Sequence, residues 1–310
     1  MNKLSTKHFI GLEHATINDI NLIINTALTF REILDRPIKK VPSLKGSNIV
    51  NLFFENSTRT KLSFELAEKR LSADVLNFSS SSSSLNKGES LRDTVQNIQA
   101  MKIDCAVMRH PVPGSCKQLT EYLDCPIVNA GDGTHEHPTQ AMLDITSIYE
   151  KFGKIKGLKI VIVGDILHSR VAMSNIFGLK TMGAEVMLCG PSHLIPKNIS
   201  DFGVQISHSI DEALEWGDII NILRIQRERM GIGLIPSIRE YRNLFGVTKE
   251  RLQNLDKEIT IMHPGPINRG VEIDSYVADS DQSIILNQVL NGVAVRMSIL
   301  YLLLGANDEK

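Results

Sequence analysis

The stretch Ser57-Thr58-Arg59-Thr60 places hydroxyl side chains beside a guanidinium group. The apolar run at 48–54 predicts a buried strand before it, and apolar residues at helical spacing predict a helix after it. The first N–H groups of a helix have no partner within the helix, and its dipole adds partial positive charge there. This combination favours a bound anion such as phosphate. The alternative is an ordinary helix that Ser57 caps, with a surface arginine.

Further charged side chains follow the other strands that the sequence predicts. Ligands of open α/β sheets bind beyond the carboxyl ends of the strands, so chemistry is expected at these positions. Fixed positive charges lie there at Arg59, Lys87, Arg109, Arg170 and Arg224. In a chain whose net charge is only −1, this cluster predicts a site for a ligand with several negative charges.

The elements that must position these side chains alternate along the chain. Residues 1–45 are expected to be helical, and the last helix is expected to pack on the first domain because it is too apolar to stay bare. Strands are predicted at 48–54, 74–78, 105–108, 127–129, 159–164, 186–188, 204–206, 219–223 and 259–262. The pattern predicts an α/β fold of two doubly wound domains, each a parallel sheet flanked by helices, joined by interdomain helices. The predicted domains are 1–138 plus 289–310, and 139–288.

Composition excludes several classes of protein. The chain of 310 residues is 42% hydrophobic and 22% charged, which is typical of a globular protein. Its near-neutral charge argues against a nucleic-acid or membrane-surface partner. The four cysteines show no C-x-x-C spacing, which fits reduced thiols or at most one disulfide. Polar residues interrupt the apolar stretch 284–304, which argues against a membrane span. The first residues lack the apolar core of a signal sequence, so we expect a cytoplasmic protein.

Common cofactor and metal motifs are missing from the sequence. Gly164 is not followed by G-x-G-x-x-G, and neither a Walker loop nor a G-x-S-x-G elbow occurs. His135 and His137 lie two residues apart, but no cysteine or carboxylate cluster completes a tetrahedral zinc site. We therefore expect no cofactor and no metal, with a zinc site as the alternative.

Several of these motifs together resemble the transcarbamylase family. Ser57-Thr58-Arg59-Thr60 is similar to the carbamoyl-phosphate signature of the family, and His137-Pro138-Thr139-Gln140 to its second shared motif. The stretches 129–133, 224–229 and 263–270 resemble the aspartate branch, and the His-Cys-Leu-Pro motif of the ornithine branch is missing. The resemblance covers nearly the whole chain and keeps the motif order. Asn56 and Glu136 depart from the family pattern without removing a group that the chemistry needs.

The resemblance implies transfer of the carbamoyl group of carbamoyl phosphate to the α-amine of L-aspartate, an early step of pyrimidine biosynthesis. It makes 1–138 plus 289–310 the carbamoyl-phosphate-binding domain and 139–288 the aspartate-binding domain. Carbamoyl phosphate is then bound by Ser57, Thr58, Arg59, Thr60, Ser83, Lys87, Arg109, His137, Gln140, Pro264 and Gly265. Aspartate is bound by Lys87, Arg170, Arg224 and Gln226. The catalytic residues are Arg59, Thr60, Lys87, Arg109 and His137.

The resemblance also implies an assembly. In the family, the residues equivalent to Ser83 and Lys87 come from an adjacent chain, which implies a homotrimer with shared active sites. The sequence leaves open whether regulatory chains bind and form a larger assembly.

Two other functions stay open at this point. The first is a transcarbamylase that uses another amine, such as ornithine or an acylated ornithine. Arg170 and Arg224 favour a dicarboxylic acceptor over a cationic one. The second is a catalytically silent scaffold, which would be expected to have lost members of the anion-binding set, whereas every member is present.

Overall fold

The computed structural model describes residues 3–79, 90–225 and 237–305. The chain forms two compact units, Met1–Thr146 with Leu290–Lys310, and Ser147–Val289. Three of the predicted site residues, Ser83, Lys87 and Gln226, lie outside the described residues.

The first unit contains a four-stranded parallel sheet in the order β2-β1-β3-β4. Its strands are β1 (Asn48–Phe53), β2 (Asp74–Ser79), β3 (Cys105–His110) and β4 (Ile127–Asp132). Its helices are α1 (Ile17–Leu34), α2 (Thr58–Arg70), α3 (Leu91–Ala100), α4 (Ser115–Leu119) and α5 (Pro138–Phe152), the last of which continues into the second unit. Apolar side chains of β1, β3 and α3 form part of the core, among them Leu52, Met108 and Val95.

The N-terminal segment differs from the expectation of helix throughout residues 1–45. Phe9 pairs in parallel with Val128 of β4, and α1 begins only at Ile17. The Phe9 N–H donates to the Ile127 carbonyl at 2.8 Å, and the Asn129 N–H donates to the Phe9 carbonyl at 2.9 Å. The helical prediction is wrong here because β4 is an edge strand, and its unpaired backbone groups take up the segment.

The second unit contains a five-stranded parallel sheet in the order β7-β6-β5-β8-β9. Its strands are β5 (Lys159–Val163), β6 (Glu185–Cys189), β7 (Gln205–Ser207), β8 (Ile219–Ile222) and β9 (Thr260–Met262). Its helices are α6 (Arg170–Thr181), α7 (Ile210–Trp216), α8 (Ile238–Phe245), α9 (Lys249–Gln253), α10 (Ser275–Ala278) and the start of α11 (Ile285–Leu304), whose remainder belongs to the first unit.

Both sheets are doubly wound, which confirms the predicted α/β class. In the first sheet the chain proceeds from β1 to the edge strand β2 and then returns to β3 on the other side. In the second it proceeds from β5 through β6 to β7 and returns to β8. The direction of winding therefore reverses between β1 and β3 and between β5 and β8. Crevices at such reversals are where open α/β sheets bind ligands.

Helix α11 is long and apolar enough, by length and composition, to cross a membrane. However, 72% of its most apolar window is buried inside the protein. Ala294, Val295 and Met297 are among its fully buried residues. This burial is typical of the core helix of a globular protein.

Glu68 in α2 is a buried carboxyl group. Asn51 Nδ2 in β1 donates to Glu68 Oε2 at 2.9 Å. Burial raises the pKa of Glu68 to about 8, against the smaller opposing effect of the Asn51 hydrogen bond. In the unfolded chain the same carboxyl group loses its proton near its ordinary pKa of 4.5.

We expect Glu68 to make the protein less stable as pH rises from about 4.5 to 8. In this window the folded state keeps a proton that the unfolded state has lost, so the free energy of unfolding falls by roughly 1.4 kcal/mol per pH unit. Glu68→Gln should remove this dependence and exceed the wild type in stability at pH 8. Urea unfolding between pH 5 and 8 measures the effect, with the exposed Glu32→Gln as control. An unchanged pH slope in Glu68→Gln would contradict the prediction.

Candidate active site

The Ser57–Thr60 segment connects β1 to α2. Ser57 occupies the N-cap position with an extended backbone, but its side chain makes no capping hydrogen bond. Thr58 and Arg59 are exposed, and the first turn of α2, all of which is described, contains no acidic residue. The predicted start of the helix is therefore right, with Ser57 at the N-cap, although its side chain forms no capping hydrogen bond. The helix end presents N–H groups, hydroxyl groups and a guanidinium group to an anion.

Arg109 lies beside this segment because β3 neighbours β1. Its backbone is in register with Phe53, and its carbonyl accepts from the Phe54 N–H at 2.9 Å. The side chain is nearly buried, and Nη2 donates to Glu55 Oε1 at 2.9 Å while Nη1 donates to the Ala130 carbonyl at 3.3 Å. Glu55 was not among the predicted site residues, although its opposite charge next to an anion-binding segment was a usable signal. A bound anion would compete with Glu55 for this guanidinium group.

A buried hydrogen-bond network holds the loop from β4 to α5, which carries His137. Asp132 Oδ1 accepts from Asn129 Nδ2 at 2.8 Å and from the Glu136 N–H at 3.2 Å. Asp132 Oδ2 accepts from the Gly114 N–H at 2.8 Å. His137 is itself buried and directly precedes α5. The network therefore gives His137 a defined position at the N-terminus of α5.

Glu136, one of the two departures from the family pattern, connects this loop to the N-terminal segment. Its carboxylate is buried, with Oε2 accepting from the Leu12 N–H at 2.8 Å and Oε1 from the Glu13 N–H at 3.4 Å. A Cβ at position 11 would lie against this carboxylate, so a larger residue than Gly11 would displace the Glu136 side chain. The residue therefore has a structural role next to His137.

Gln140 is the third residue of α5 and is nearly buried. Its backbone N–H donates to the His137 carbonyl at 3.0 Å, and its side-chain Nε2 donates to Asp144 Oδ1 at 3.0 Å. These contacts place the Gln140 amide within the first turns of the helix that His137 precedes.

In the second unit, Arg170 is the first residue of α6 and is buried. Ser169 caps the helix by accepting from the Ala172 N–H at 3.1 Å. Just before it, His168 Nδ1 lies 3.0 Å from both carboxylate oxygens of Asp165, and burial raises the pKa of Asp165. Hydrogen bonds from these side chains thus hold the turn between β5 and α6, and Arg170 lies just after that turn.

Arg224 follows β8, the strand that neighbours β5. The Leu223 N–H donates to the Val163 carbonyl at 2.7 Å, so the two strands remain paired up to Arg224. Arg224 is half-buried. Two arginines therefore follow the two strands between which the winding of this sheet reverses.

Pro264 and Gly265 follow β9 in a loop that a buried histidine holds. His263 Nδ1 accepts from the Gly265 N–H at 2.8 Å, which leaves the ring proton on Nε2. This Nε2 lies 3.3 Å from Glu272 Oε1, and both side chains are fully buried. Glu272 Oε1 also accepts from the Asn268 N–H at 2.6 Å. The sequence suggested no role for Glu272.

The structure places the predicted residues at the carboxyl edges of the two sheets. In the first unit, Ser57, Thr58, Arg59, Thr60, Arg109, His137 and Gln140 follow or end three adjacent strands, β1, β3 and β4. In the second unit, Arg170, Arg224, Pro264 and Gly265 follow the adjacent strands β5, β8 and β9. Among the described residues, no group of three or more His, Cys, Asp or Glu side chains is arranged to hold a metal ion.

Two doubly wound units with arginines where their winding reverses fit an enzyme that binds two anionic substrates. The family model "Aspartate/ornithine carbamoyltransferase, carbamoyl-P binding domain" matches residues 7–150. The model "Aspartate/ornithine carbamoyltransferase, Asp/Orn binding domain" matches residues 156–303. The chain belongs to the aspartate/ornithine carbamoyltransferase family.

The individual proteins that the chain resembles include both aspartate and ornithine carbamoyltransferases. The aspartate carbamoyltransferase catalytic subunit of Christiangramia forsetii is 61% identical over 302 residues, 97% of each chain. The aspartate transcarbamoylase of Trypanosoma cruzi, solved with carbamoyl aspartate and phosphate, superposes with a TM-score of 0.87 at 30% identity, covering 96% of each chain. The ornithine carbamoyltransferase of Pyrococcus furiosus has a TM-score of 0.85 at 27% identity, covering 98% of this chain and 99% of its own. The fold alone therefore does not distinguish the two acceptors.

Proposed function

We propose that the chain transfers the carbamoyl group of carbamoyl phosphate to the α-amine of L-aspartate, giving N-carbamoyl-L-aspartate and phosphate. The observation that carries the proposal is the pair of arginines, Arg170 and Arg224, at the reversal of the second sheet. Two guanidinium groups match the two carboxylates of aspartate, each in forked geometry. The 61% identity to an aspartate carbamoyltransferase catalytic subunit supports the same acceptor.

In this proposal the first unit binds carbamoyl phosphate. Ser57, Thr58 and Thr60 donate hydroxyl or backbone N–H groups to the phosphate, and Arg59 adds its charge. Arg109 exchanges its contact with Glu55 for the phosphate, which remains close to the N-terminus of α2. Ser83 and Lys87, outside the described residues, complete the phosphate site by family resemblance.

The reaction is an attack of the neutral aspartate amine on the carbamoyl carbon. A C–N bond forms, the C–O bond to phosphate breaks, and the amine proton leaves with the phosphate. Thr60, Arg109 and His137 donate to the carbonyl oxygen as it becomes anionic, and each such donor contributes roughly 3–4 kcal/mol. Gln140 and the carbonyl of Pro264 accept the N–H groups of the substrates, with Gly265 beside them. The binding of both substrates in line supplies much of the rate.

The second unit binds the acceptor in this proposal, with Gln226 and Lys87 adding to Arg170 and Arg224. We accordingly assign 1–138 plus 289–310 to carbamoyl phosphate and 139–288 to aspartate. The proposed chemistry uses no cofactor, since the leaving phosphate accepts the proton. The product is a pyrimidine precursor, which fits a cytoplasmic enzyme of pyrimidine biosynthesis.

A colorimetric assay for ureido groups tests this function. The purified chain is incubated with carbamoyl phosphate and, in separate reactions, L-aspartate, ornithine or N-acetylornithine. We expect ureido product only in the reaction with aspartate, because the cationic side chain of ornithine or N-acetylornithine would meet like charges at Arg170 and Arg224. Product with an ornithine would support the alternative transcarbamylase, and no product with any acceptor would support the scaffold.

We also propose a homotrimer with active sites shared between chains. The support is the family resemblance of the Ser83 and Lys87 segment, together with exposed apolar residues on α2 and the edge strand β2. Leu62 is 60% exposed, Leu66 is 41% exposed and Leu76 is 45% exposed, and both elements belong to the first unit. Regulatory chains that join trimers into a larger assembly would be further partners.

Mixed trimers of two inactive variants test the shared site. Lys87→Gln and Arg170→Ala chains are unfolded together and reassembled, and exchange is confirmed by native mass. If Lys87 acts in the site of a neighbouring chain, random equal mixing restores roughly a quarter of the wild-type sites around a threefold ring. Mixtures as inactive as the two parents, with exchange confirmed, would refute the shared site.

A further inference from the structure

The amide of Gln140 has one oxygen that accepts hydrogen bonds and one NH₂ group that donates them. A carboxylate can only accept, so the NH₂ group is the side that faces Asp144, at 3.0 Å between Nε2 and Oδ1. The amide oxygen therefore points away from Asp144. This assignment follows from the partner and does not depend on a bound substrate.

The positions of the two residues in α5 indicate which end of the helix the amide oxygen can serve. Gln140 is the third residue of the helix, and Asp144 lies one turn later on the same face. With Nε2 bonded to Asp144 on the C-terminal side, the oxygen is the amide atom left for a ligand near the N-terminal end of the helix, which His137 directly precedes. This end is otherwise rich in donors, since the first N–H groups of a helix have no partner within it. The Gln140 oxygen is an acceptor in a region of donors.

Positive charge lies close to the fully buried Asp144. Arg296 of α11 is buried too, and its Nη1 donates to Ser63 Oγ and to the Gly292 carbonyl, each at 2.9 Å. Its guanidinium group also stacks on the Phe64 ring, 5.0 Å from the centroid. Burial, with a smaller contribution from Arg109, lowers the pKa of Arg296 to about 10, against the opposing effect of Asp144. Arg296 is therefore charged at neutral pH and compensates Asp144.

We propose that Asp144 is a positioning residue that selects the carbamoyl group through Gln140. By holding the Gln140 NH₂ group, it keeps the amide oxygen available for the NH₂ group of the carbamoyl substrate. A flipped Gln140 would set one NH₂ group against another, and the preference for an amino over a methyl substituent would be lost. The inference rests on the proposed function and adds Asp144 as the residue that makes the enzyme prefer carbamoyl phosphate to other acyl phosphates.

Acetyl phosphate is the matched probe, because it has a methyl group where carbamoyl phosphate has NH₂. In the wild type we expect it to compete weakly with carbamoyl phosphate. Asp144→Asn has nearly the same shape but can present either an oxygen or an NH₂ group to Gln140, so both amide orientations become accessible. We expect the apparent affinity for carbamoyl phosphate to fall about tenfold to a hundredfold, as for an unsatisfied buried polar group. The inhibition constant of acetyl phosphate should stay nearly constant.

Control variants separate positioning from general damage to the fold. Thr146→Val removes another buried polar group of α5, whose hydroxyl donates to the Met142 carbonyl at 2.7 Å, and should leave the selectivity unchanged. In a Gln140→Ala background, adding Asp144→Asn should not lower the selectivity further, because the group through which Asp144 acts is gone. Asp144→Ser is a second test should Asp144→Asn fail to fold by circular dichroism.

The outcomes distinguish this inference from the proposed function. A wild-type chain that forms no ureido product from carbamoyl phosphate and aspartate would overturn the proposed function itself. An active wild type whose folded Asp144 variants weaken carbamoyl and acetyl phosphate equally would show a structural role and overturn the inference. A selective loss for carbamoyl phosphate, absent in the Gln140→Ala background, would establish it.

Discussion

Replacing Arg59 with alanine is expected to remove nearly all carbamoyl transfer from a protein that still folds. Arg59 lies in the first turn of α2, where the proposed function places the phosphate beside the helix N–H groups and the neighbouring hydroxyls. Its charge is best matched when the leaving phosphate gains negative charge, so its loss raises the barrier more than it weakens binding. Loss of one such electrostatic contact lowers kcat by roughly a hundredfold to a thousandfold.

The fold should survive the substitution because the Arg59 side chain is exposed. Steady-state kinetics with varied carbamoyl phosphate measure the effect, and circular dichroism confirms folding. Lys69→Ala is the matched control, since Lys69 is an exposed cation in the last turn of the same helix. It should leave kcat unchanged. A folded Arg59→Ala protein with near-normal kcat and KM would refute the assignment of the α2 N-terminus to phosphate.

Replacing Arg224 with alanine is expected to weaken the use of aspartate while carbamoyl phosphate binds nearly as before. Arg224 belongs to the second unit and follows β8, whereas the segment proposed to bind phosphate follows β1 in the first. Removal of one partner from a charged hydrogen bond costs on the order of 2–5 kcal/mol, which corresponds to at least about a thirtyfold rise in KM for aspartate. Gln226→Ala should act in the same direction.

Separate titrations distinguish the two substrates. The KM for aspartate is measured at saturating carbamoyl phosphate, and carbamoyl-phosphate binding is measured directly by calorimetry without aspartate. Lys197→Ala is the control, because Lys197 is an exposed cation of the same unit away from β8. An equal loss of affinity for both substrates would count against the assignment of Arg224 to the acceptor.

Much of the fold and of the candidate site follows from local patterns in the sequence. The apolar run at 48–54 followed by helical spacing predicts the turn at Ser57, and the structure has β1 and α2 there. The same logic places Arg109, Arg170 and Arg224 at or after strand ends. Such patterns are readable because strand and helix periodicity depend on neighbours within a few residues.

Strand order was decided only in three dimensions. Arg109 is fifty residues from Arg59 in the chain. The two residues follow or end neighbouring strands because β3 pairs with β1 rather than with β2. The contact of Glu55 with Arg109 follows from that pairing. The unexpected extended segment at Phe9 likewise depends on the open edge of β4.

Burial and hydrogen-bond partners were also settled by the tertiary structure. Alone in the sequence, Glu68 is an ordinary helix residue, whereas burial against β1 raises its pKa to about 8. Asp144 lies four residues after Gln140 in the sequence, but the buried Arg296 whose charge acts on it belongs to α11, far along the chain. The sequence by itself determines which groups are present and which local elements carry them. Their charges, orientations and neighbours depend on desolvation and on contacts between distant segments, and these exist only in the folded chain.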